Sequence, residues 1–328
     1  MPRGCLKFLD WSQTPTYRDL DGLRRRSDWK HMRLADGGFR NANERQRYLA
    51  VYDEARALTV PPDVVHDVRT EFGKVRVYEH GSDSGASVVL IHGFFLTSAM
   101  WWEQVAGLRG DCTVYTLDML GQPGASTQTK AMSKPLDCAR TIDAVLQDLN
   151  LRDVHLVGHS YGGWLATHTA AAAPSRLRTL TLIDPAHTVA RLSPRFWRSL
   201  ALLLTRPRST RANRAAAWVT EHPKPGSSID MLTRLFLAGF ATFGPPHRTA
   251  PLLFASDRLL RSVHLPVQVL LAGKAVHDSD KAISRIQSVV PAWQYHLWPD
   301  ASHSLPAEAP DEVNAHIRNF LLENGTCG

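Results

Sequence analysis

From Val64 onward, short runs of β-branched and aliphatic residues recur along the chain, separated by longer stretches with helical spacing. The runs are 64–72, 74–80, 87–92, 113–118, 153–158, 179–184, 267–272 and 294–298. The inner ones, such as Val88-Val89-Leu90-Ile91 and Val114-Tyr115-Thr116-Leu117, are apolar without alternation, which suits parallel strands covered by helices on both faces. Helical patterns occupy 137–149, 164–173, 280–290 and 310–322, and Pro174 and Pro291 stand just past two of them as helix stops. Strand and helix alternating in this way predict an α/β chain with an eight-stranded, mostly parallel, doubly wound sheet. The first two runs, joined by a turn at Gly73, read as an antiparallel hairpin at the sheet edge.

Two intervals depart from that rhythm. Residues 1–60 are rich in charge and weakly periodic, with a helix expected near 43–57, and read as an N-terminal helical extension. Between the run ending at Asp184 and the one starting at Val267 there are helical patterns at 196–204 and 229–240, broken by Pro and Gly, but no strand. Structureless loops of that length are uncommon inside compact domains. Residues 187–265 are therefore expected to form a helical cap or lid over one end of the sheet, with 61–186 and 266–328 as the core.

The chemistry begins at Gly158-His159-Ser160-Tyr161-Gly162, which lies between the run 153–158 and the helical stretch opening at Trp164. A G-x-S-x-G pattern alone is a weak signal. Between a strand and a helix it becomes a strong one, because the glycines let the chain close a strained turn that presents the serine at a helix N-terminus. Ser160 is the expected nucleophile. An acyl-transfer site also needs backbone N–H groups aimed at the developing oxyanion. Tyr161, which follows the nucleophile, supplies one, and Phe94, in the loop after Leu90-Ile91-His92-Gly93, supplies the other. His92, at the base of that loop, reads as a structural hydrogen-bonder. His303 follows the last strand, where a histidine can reach back to the serine, and is the expected base. The acid should fall between nucleophile and histidine in chain order. Asp184, at the tip of its strand, and Asp278, beyond the run 267–272, both qualify. Phe95, Trp101 and Trp164 are candidates for the substrate pocket, with Phe94, Met100, Trp102 and Tyr161 near the serine and Phe196, Trp197 and the 200–204 run from the cap.

Composition narrows the classes. With 328 residues and 44% apolar side chains, the chain can bury a large core. Its net charge of +7 comes from 38 basic against 31 acidic residues, which are dispersed apart from groups such as Arg24-Arg25-Arg26, so a nucleic-acid partner is not indicated. Cys5, Cys112, Cys138 and Cys327 are far apart, which predicts free thiols in a reducing compartment. The first residues lack a signal-peptide apolar core, and no run approaches the roughly 18 apolar residues of a membrane span. A cytoplasmic protein acting on a small-molecule substrate, with no membrane or nucleic-acid partner, is the expectation, and a homo-oligomer is left open. No cofactor or metal is expected: His155 and His159 are four apart but on a strand and its turn, without an H-E-x-x-H helix, and no glycine-rich phosphate loop occurs.

Together these motifs resemble the α/β-hydrolase superfamily, and within it bacterial carboxylesterase-like members similar to carboxylesterase NP and related actinobacterial hydrolases. The resemblance runs from Phe39 to Leu322. It is carried by the His92-Gly93 loop, Asp118-Met119-Leu120-Gly121-Gln122-Pro123-Gly124-Ala125-Ser126, the serine turn with Gly163-Trp164, Asp184-Pro185-Ala186 and His303. It implies a serine esterase acting through a Ser-His-Asp triad and an acyl-enzyme on a small hydrophobic ester. The same triad also serves thioesterases, amidases and C–C hydrolases, and the fold also hosts inactive binding proteins. Relatives often carry an acid soon after the residue matching Gly273, followed by an aliphatic-His-Asp run. This chain keeps Val276-His277-Asp278 without that acid, which inclines the assignment towards Asp184.

Overall fold

The computed structural model describes residues 38–81, 85–205, 209–211, 214, 224, 226–244 and 249–325. Most of the expected N-terminal extension, together with Cys5 and Cys327, lies outside them. Among the described residues nine strands form a single sheet in the order β1-β2-β4-β3-β6-β7-β8-β9, with β5 paired to β2. They are β1 (Val64–Thr70), β2 (Gly73–His80), β3 (Ala86–Ile91), β4 (Cys112–Asp118), β5 (Thr127–Gln128), β6 (Val154–His159), β7 (Leu177–Ile183), β8 (Val267–Lys274) and β9 (Gln294–Ser302). The hairpin β1–β2 and the pairings of β2 with β4 and β5 are antiparallel. From β4 to β9 every neighbouring pair is parallel. The eight expected strands are all present. The ninth, β5, has only two residues and leaves no periodic trace in the sequence.

The helices are α1 (Ala42–Arg56), α2 (Trp102–Leu108), α3 (Pro135–Asp148), α4 (Tyr161–Ala172), α5 (Pro194–Thr205), α6 (Ser228–Thr242), α7 (Asp257–Arg261), α8 (Ser279–Val289), α9 (Leu305–Glu308) and α10 (Pro310–Glu323). Alternate side chains of the inner strands enter opposite apolar layers, as the two-residue period of a strand requires. On β3, Val89 and Ile91 pack with residues of α3, α4 and α8, whereas Val88 and Leu90 pack with α1, α2, α6 and α10. Helix α1 lies against α6. Phe39 meets Phe243 edge-on at 5.0 Å, and Arg234 clasps the Glu54 carboxylate through both terminal nitrogens.

Strand order decides where a ligand can reach the sheet. The chain runs outward from β3 to β4 on one side and from β6 through β9 on the other, so a crevice opens beyond the carboxyl ends of β3 and β6. The Gly93 loop and Ser160 lie there.

The core also holds several histidines in neutral form. Burial pushes His155, His168 and His80 down to about 4, and His159 down to about 3. The unfolded chain binds protons on these rings near pH 6.5, while the folded chain refuses them until near their depressed values. Stability should therefore be lost progressively as the pH falls from about 6.5 towards 4. A thermal melt series between pH 8 and pH 4.5 checks this, with a melting temperature that is level above pH 7 and declines below pH 6.5. An unchanged melting temperature down to pH 5 would contradict it.

Candidate active site

Ser160 occupies the turn between β6 and α4 with φ 53° and ψ −114°, a left-handed backbone that costs a non-glycine residue of the order of 1–3 kcal/mol. Close packing makes the flanking glycines necessary. A Cβ on Gly158 would stand 2.3 Å from the Gly162 carbonyl oxygen, and one on Gly162 would stand 2.1 Å from the Ile91 carbonyl oxygen. The turn is pinned to the tip of β7: the Ser160 amide donates to the Ile183 carbonyl (2.9 Å), and the Ala186 amide donates to the Ser160 carbonyl (3.0 Å). The tip of β7 and the serine turn are thus tied together by two backbone hydrogen bonds.

His303 follows directly after β9. Its Nε2 accepts from the Ser160 hydroxyl at 2.8 Å, and its Nδ1–H donates to Oδ2 of Asp184. The turn that carries it is held by Glu308, whose Oε2 accepts from the Ser302 amide (2.7 Å) and hydroxyl (2.6 Å). His159 adds a second tie, donating from Nε2 to the His303 carbonyl at 2.8 Å. Burial, and then the charge of His303, depress His159 strongly, so it serves as a neutral donor.

Of the two acids that the sequence left open, Asp184 meets His303 and Asp278 does not. Asp184 is fully buried, and its φ of 42° turns the chain sharply at the end of β7. Burial works to raise its pKa, but the imidazoles of His277 and His303 and the Ala272 amide outweigh this and hold the carboxyl below its usual range. It is therefore a carboxylate at neutral pH. Asp278 instead caps α8, accepting from the Lys281 amide (3.1 Å) and pairing with the Lys281 ammonium (3.1 Å) at the surface.

Tyr161 is the first residue of α4, so its amide has no acceptor within the helix. Phe94 lies in the loop after β3, its ring edge-on to Tyr161 at 5.5 Å. The next amide, Phe95, is taken by Oε1 of Gln122 at 2.8 Å, which fixes the loop one residue beyond Phe94. His92 donates from Nδ1 to the Gly93 carbonyl (2.8 Å) and accepts the Met119 amide at Nε2 (3.0 Å), the structural role expected of it.

A cavity opens onto Ser160 and His303. Its walls are Gly93, Phe94, Leu96 and Met100 below and Phe196, Leu200 and Leu203 of α5 with Leu232 and Phe236 of α6 above, while Ser199, Ser304 and Pro306 complete the rim. Apart from His159, His303 and the serines Ser160, Ser199 and Ser304, the lining is apolar, with no Asp, Glu, Lys or Arg in it. Of the pocket residues expected from the sequence, Phe95, Trp101, Trp102, Tyr161, Trp164 and Trp197 do not line it. Phe95 is buried face to face on Phe240, with ring centroids 4.1 Å apart. Trp101 has no exposed surface and packs in the core layer with α1 and α2, and Trp164 is buried on the other side of the sheet, donating Nε1–H to the Leu253 carbonyl (2.7 Å). Large rings gain most where they are fully enclosed, and sequence proximity to the serine does not set which way a ring faces. Leu232 and Phe236 were missed. Their i, i+4 spacing on an apolar helix was the available sign.

Among the described residues, no group of three or more His, Cys, Asp or Glu could hold a metal ion, and no helix is long and apolar enough to cross a membrane.

Residues 88–316 match the alpha/beta hydrolase family. The chain is 28% identical over 285 residues to carboxylesterase YbfK of Bacillus subtilis, an alignment covering 84% of this chain and 93% of that protein. The crystal structure of carboxylesterase CesB (YbfK) from the same organism superposes with a TM-score of 0.77 at 26% identity, over 86% of this chain and 99% of the other. That of naproxen esterase (carboxylesterase NP), also from B. subtilis, has the same score of 0.77 at 24% identity, with coverage of 86% and 99%, and is alike in fold.

Proposed function

Since the chain belongs to the alpha/beta hydrolase family, we propose that it hydrolyses carboxylic esters with a small, hydrophobic acyl group, using Ser160 as nucleophile, His303 as general base and Asp184 as the triad acid. The observation that carries this reading is the unbroken hydrogen-bonded chain from the Ser160 hydroxyl through His303 to Asp184, opening on an apolar cavity. An inactive binding protein would have no need to keep a strained serine aligned with a buried imidazole–carboxylate pair.

In the first half-reaction Ser160 Oγ attacks the ester carbonyl carbon while its proton passes to Nε2 of His303. Asp184 holds Nδ1–H in place, so that Nε2 is the free base, and its charge stabilises the imidazolium. The tetrahedral oxyanion receives the amides of Phe94 and Tyr161. Collapse expels the alcohol, which takes the proton from Nε2 and leaves an acyl-serine. Water, deprotonated by the same nitrogen, then attacks the acyl carbonyl; the bond to Ser160 Oγ breaks, Oγ takes the proton back from Nε2, and the acid is released. Among the described residues, those within 187–265 are proposed as the cap and those within 61–186 and 266–325 as the core. Helices α5 and α6 lay Phe196, Leu200, Leu232 and Phe236 over the acyl group and exclude water from it.

A panel of p-nitrophenyl esters from acetate to decanoate, assayed beside acyl thioesters and anilides, tests this reading. Esters should be preferred over anilides of the same acid by at least about 100-fold, with the highest kcat/KM at a short or medium chain. Equal or faster anilide or thioester turnover would move the assignment to an amidase or thioesterase. No turnover of any of them would remove the hydrolytic reading.

A further inference from the structure

Beside the acid lies a second imidazole that the mechanism above does not use. After β8 the chain runs Ala275-Val276-His277 alongside Leu192, with which His277 forms an antiparallel bridge. The backbone here is tied on both sides. The Ser193 amide donates to the Val276 carbonyl (2.9 Å), the Ser279 hydroxyl donates to the Ala272 carbonyl (2.6 Å), and Val276 packs in a small apolar cluster with Ala186 and Leu192. The main chain thus aims the His277 ring inward, and the side chain has no exposed surface. Neither ring nitrogen has a hydrogen-bond partner, which is costly for a buried imidazole and calls for an explanation. The polar atom that Nε2 faces is Oδ1 of Asp184, at 3.6 Å.

Asp184 has the complementary need. It is a fully buried charge with capacity for about four hydrogen bonds, yet its donors are His303 on Oδ2 and the Ala272 amide on Oδ1, the latter long at 3.3 Å. Hydrogen bonds of catalytic groups are often long in the unliganded state and shorten as charge develops. Resting on the triad reading, we infer that His277 is a positioning residue. Its neutral ring donates Nε2–H to Oδ1 of Asp184 during turnover, turning the carboxylate so that Oδ2 faces Nδ1 of His303. Burial is the main cause that favours the neutral ring; Asp184 pulls the other way, as does Asp278, and both are outweighed by burial together with the repulsion from His303. A neutral donor suits the site, since His303 must become the cation. The inference also gives a use to the histidine of Val276-His277-Asp278, in a loop that lacks the acid often found there in relatives: the loop contributes a donor to an acid carried by the neighbouring strand.

The test sets donor against filler. His277→Phe and His277→Leu keep an apolar side chain in the space but remove the donor, whereas His277→Gln carries an amide nitrogen close to the position of Nε2. The inference predicts that Phe and Leu lower kcat on a p-nitrophenyl ester by roughly 10–100-fold, with KM within about twofold, and that Gln retains at least about one third of wild-type kcat. A residue that only fills space gives the reverse order, with Phe or Leu near wild type and Gln impaired, and that result overturns the inference. Should both apolar variants fail to fold by circular dichroism, Gln against His277→Asn makes the same comparison, because Asn places its nitrogen where Nδ1 lies. Equal activity of Asn and Gln then overturns it. A wild-type protein that is active and labelled by a fluorophosphonate, with indifferent variants, sinks only this inference; a wild type that is neither sinks the triad on which it rests.

Discussion

Ser160→Ala lowers kcat/KM on a p-nitrophenyl ester by about 10⁴-fold or more, with the protein still folded. The size follows from loss of the covalent route: the oxyanion amides and the acyl cavity remain, but there is no atom for His303 to activate. The fold should tolerate the change because the Ser160 side chain makes one hydrogen bond, to a histidine that is itself held by Asp184, while the turn is fixed by its backbone bonds to Ile183 and Ala186. The Cβ strain at φ 53° persists in the alanine variant. Ser160→Gly removes it and should melt higher than Ser160→Ala, at equally low activity. Steady-state kinetics and thermal melts of the two variants check both halves. Residual activity above about one per cent in either would mean that another group attacks the ester.

The second large effect separates the two aspartates. Asp184→Asn should reduce kcat by about 10³–10⁴-fold, since the amide presents no charge to the imidazolium and favours the wrong tautomer of His303. Asp278→Asn should leave kcat within about twofold, and stability nearly unchanged as well, because asparagine caps a helix about as well as aspartate does. Parallel kinetics on the two purified variants decide the matter. The opposite ranking would transfer the acid role to the loop after β8 and require that loop to move, since Asp278 is engaged with Lys281 at the surface.

Legibility differed from residue to residue for physical reasons. Ser160 could be read because its turn needs glycine at two fixed offsets and a strand and a helix at its borders, all of which are local in sequence. His303 could be read from its place after the last strand, which parallel topology brings next to the serine. The acid could not be decided that way. Asp184 and Asp278 both satisfy chain order, and only the third dimension records that one ends a strand beside β6 while the other opens a helix at the surface. The pocket was the least legible. Phe94, Met100, Phe196 and Leu200 do line it, but Phe95, next to Phe94, turns through a positive φ of 56° and packs beneath α6 instead. Supporting groups such as Gln122, which holds the Phe95 amide, and Glu308, which accepts from the Ser302 amide and hydroxyl, show their roles only once the chain is folded. His277 belongs to a run that could be read, Val276-His277-Asp278, but its burial against Asp184 could not be, because it follows from how two loops settle.

Labelling with a fluorophosphonate, followed by peptide mass mapping, probes the activated serine most directly. The account predicts one adduct per chain, on Ser160, formed at least about 100-fold more slowly when His303 is replaced by alanine. An adduct on another residue, or a Ser160 labelling rate indifferent to His303, would contradict it.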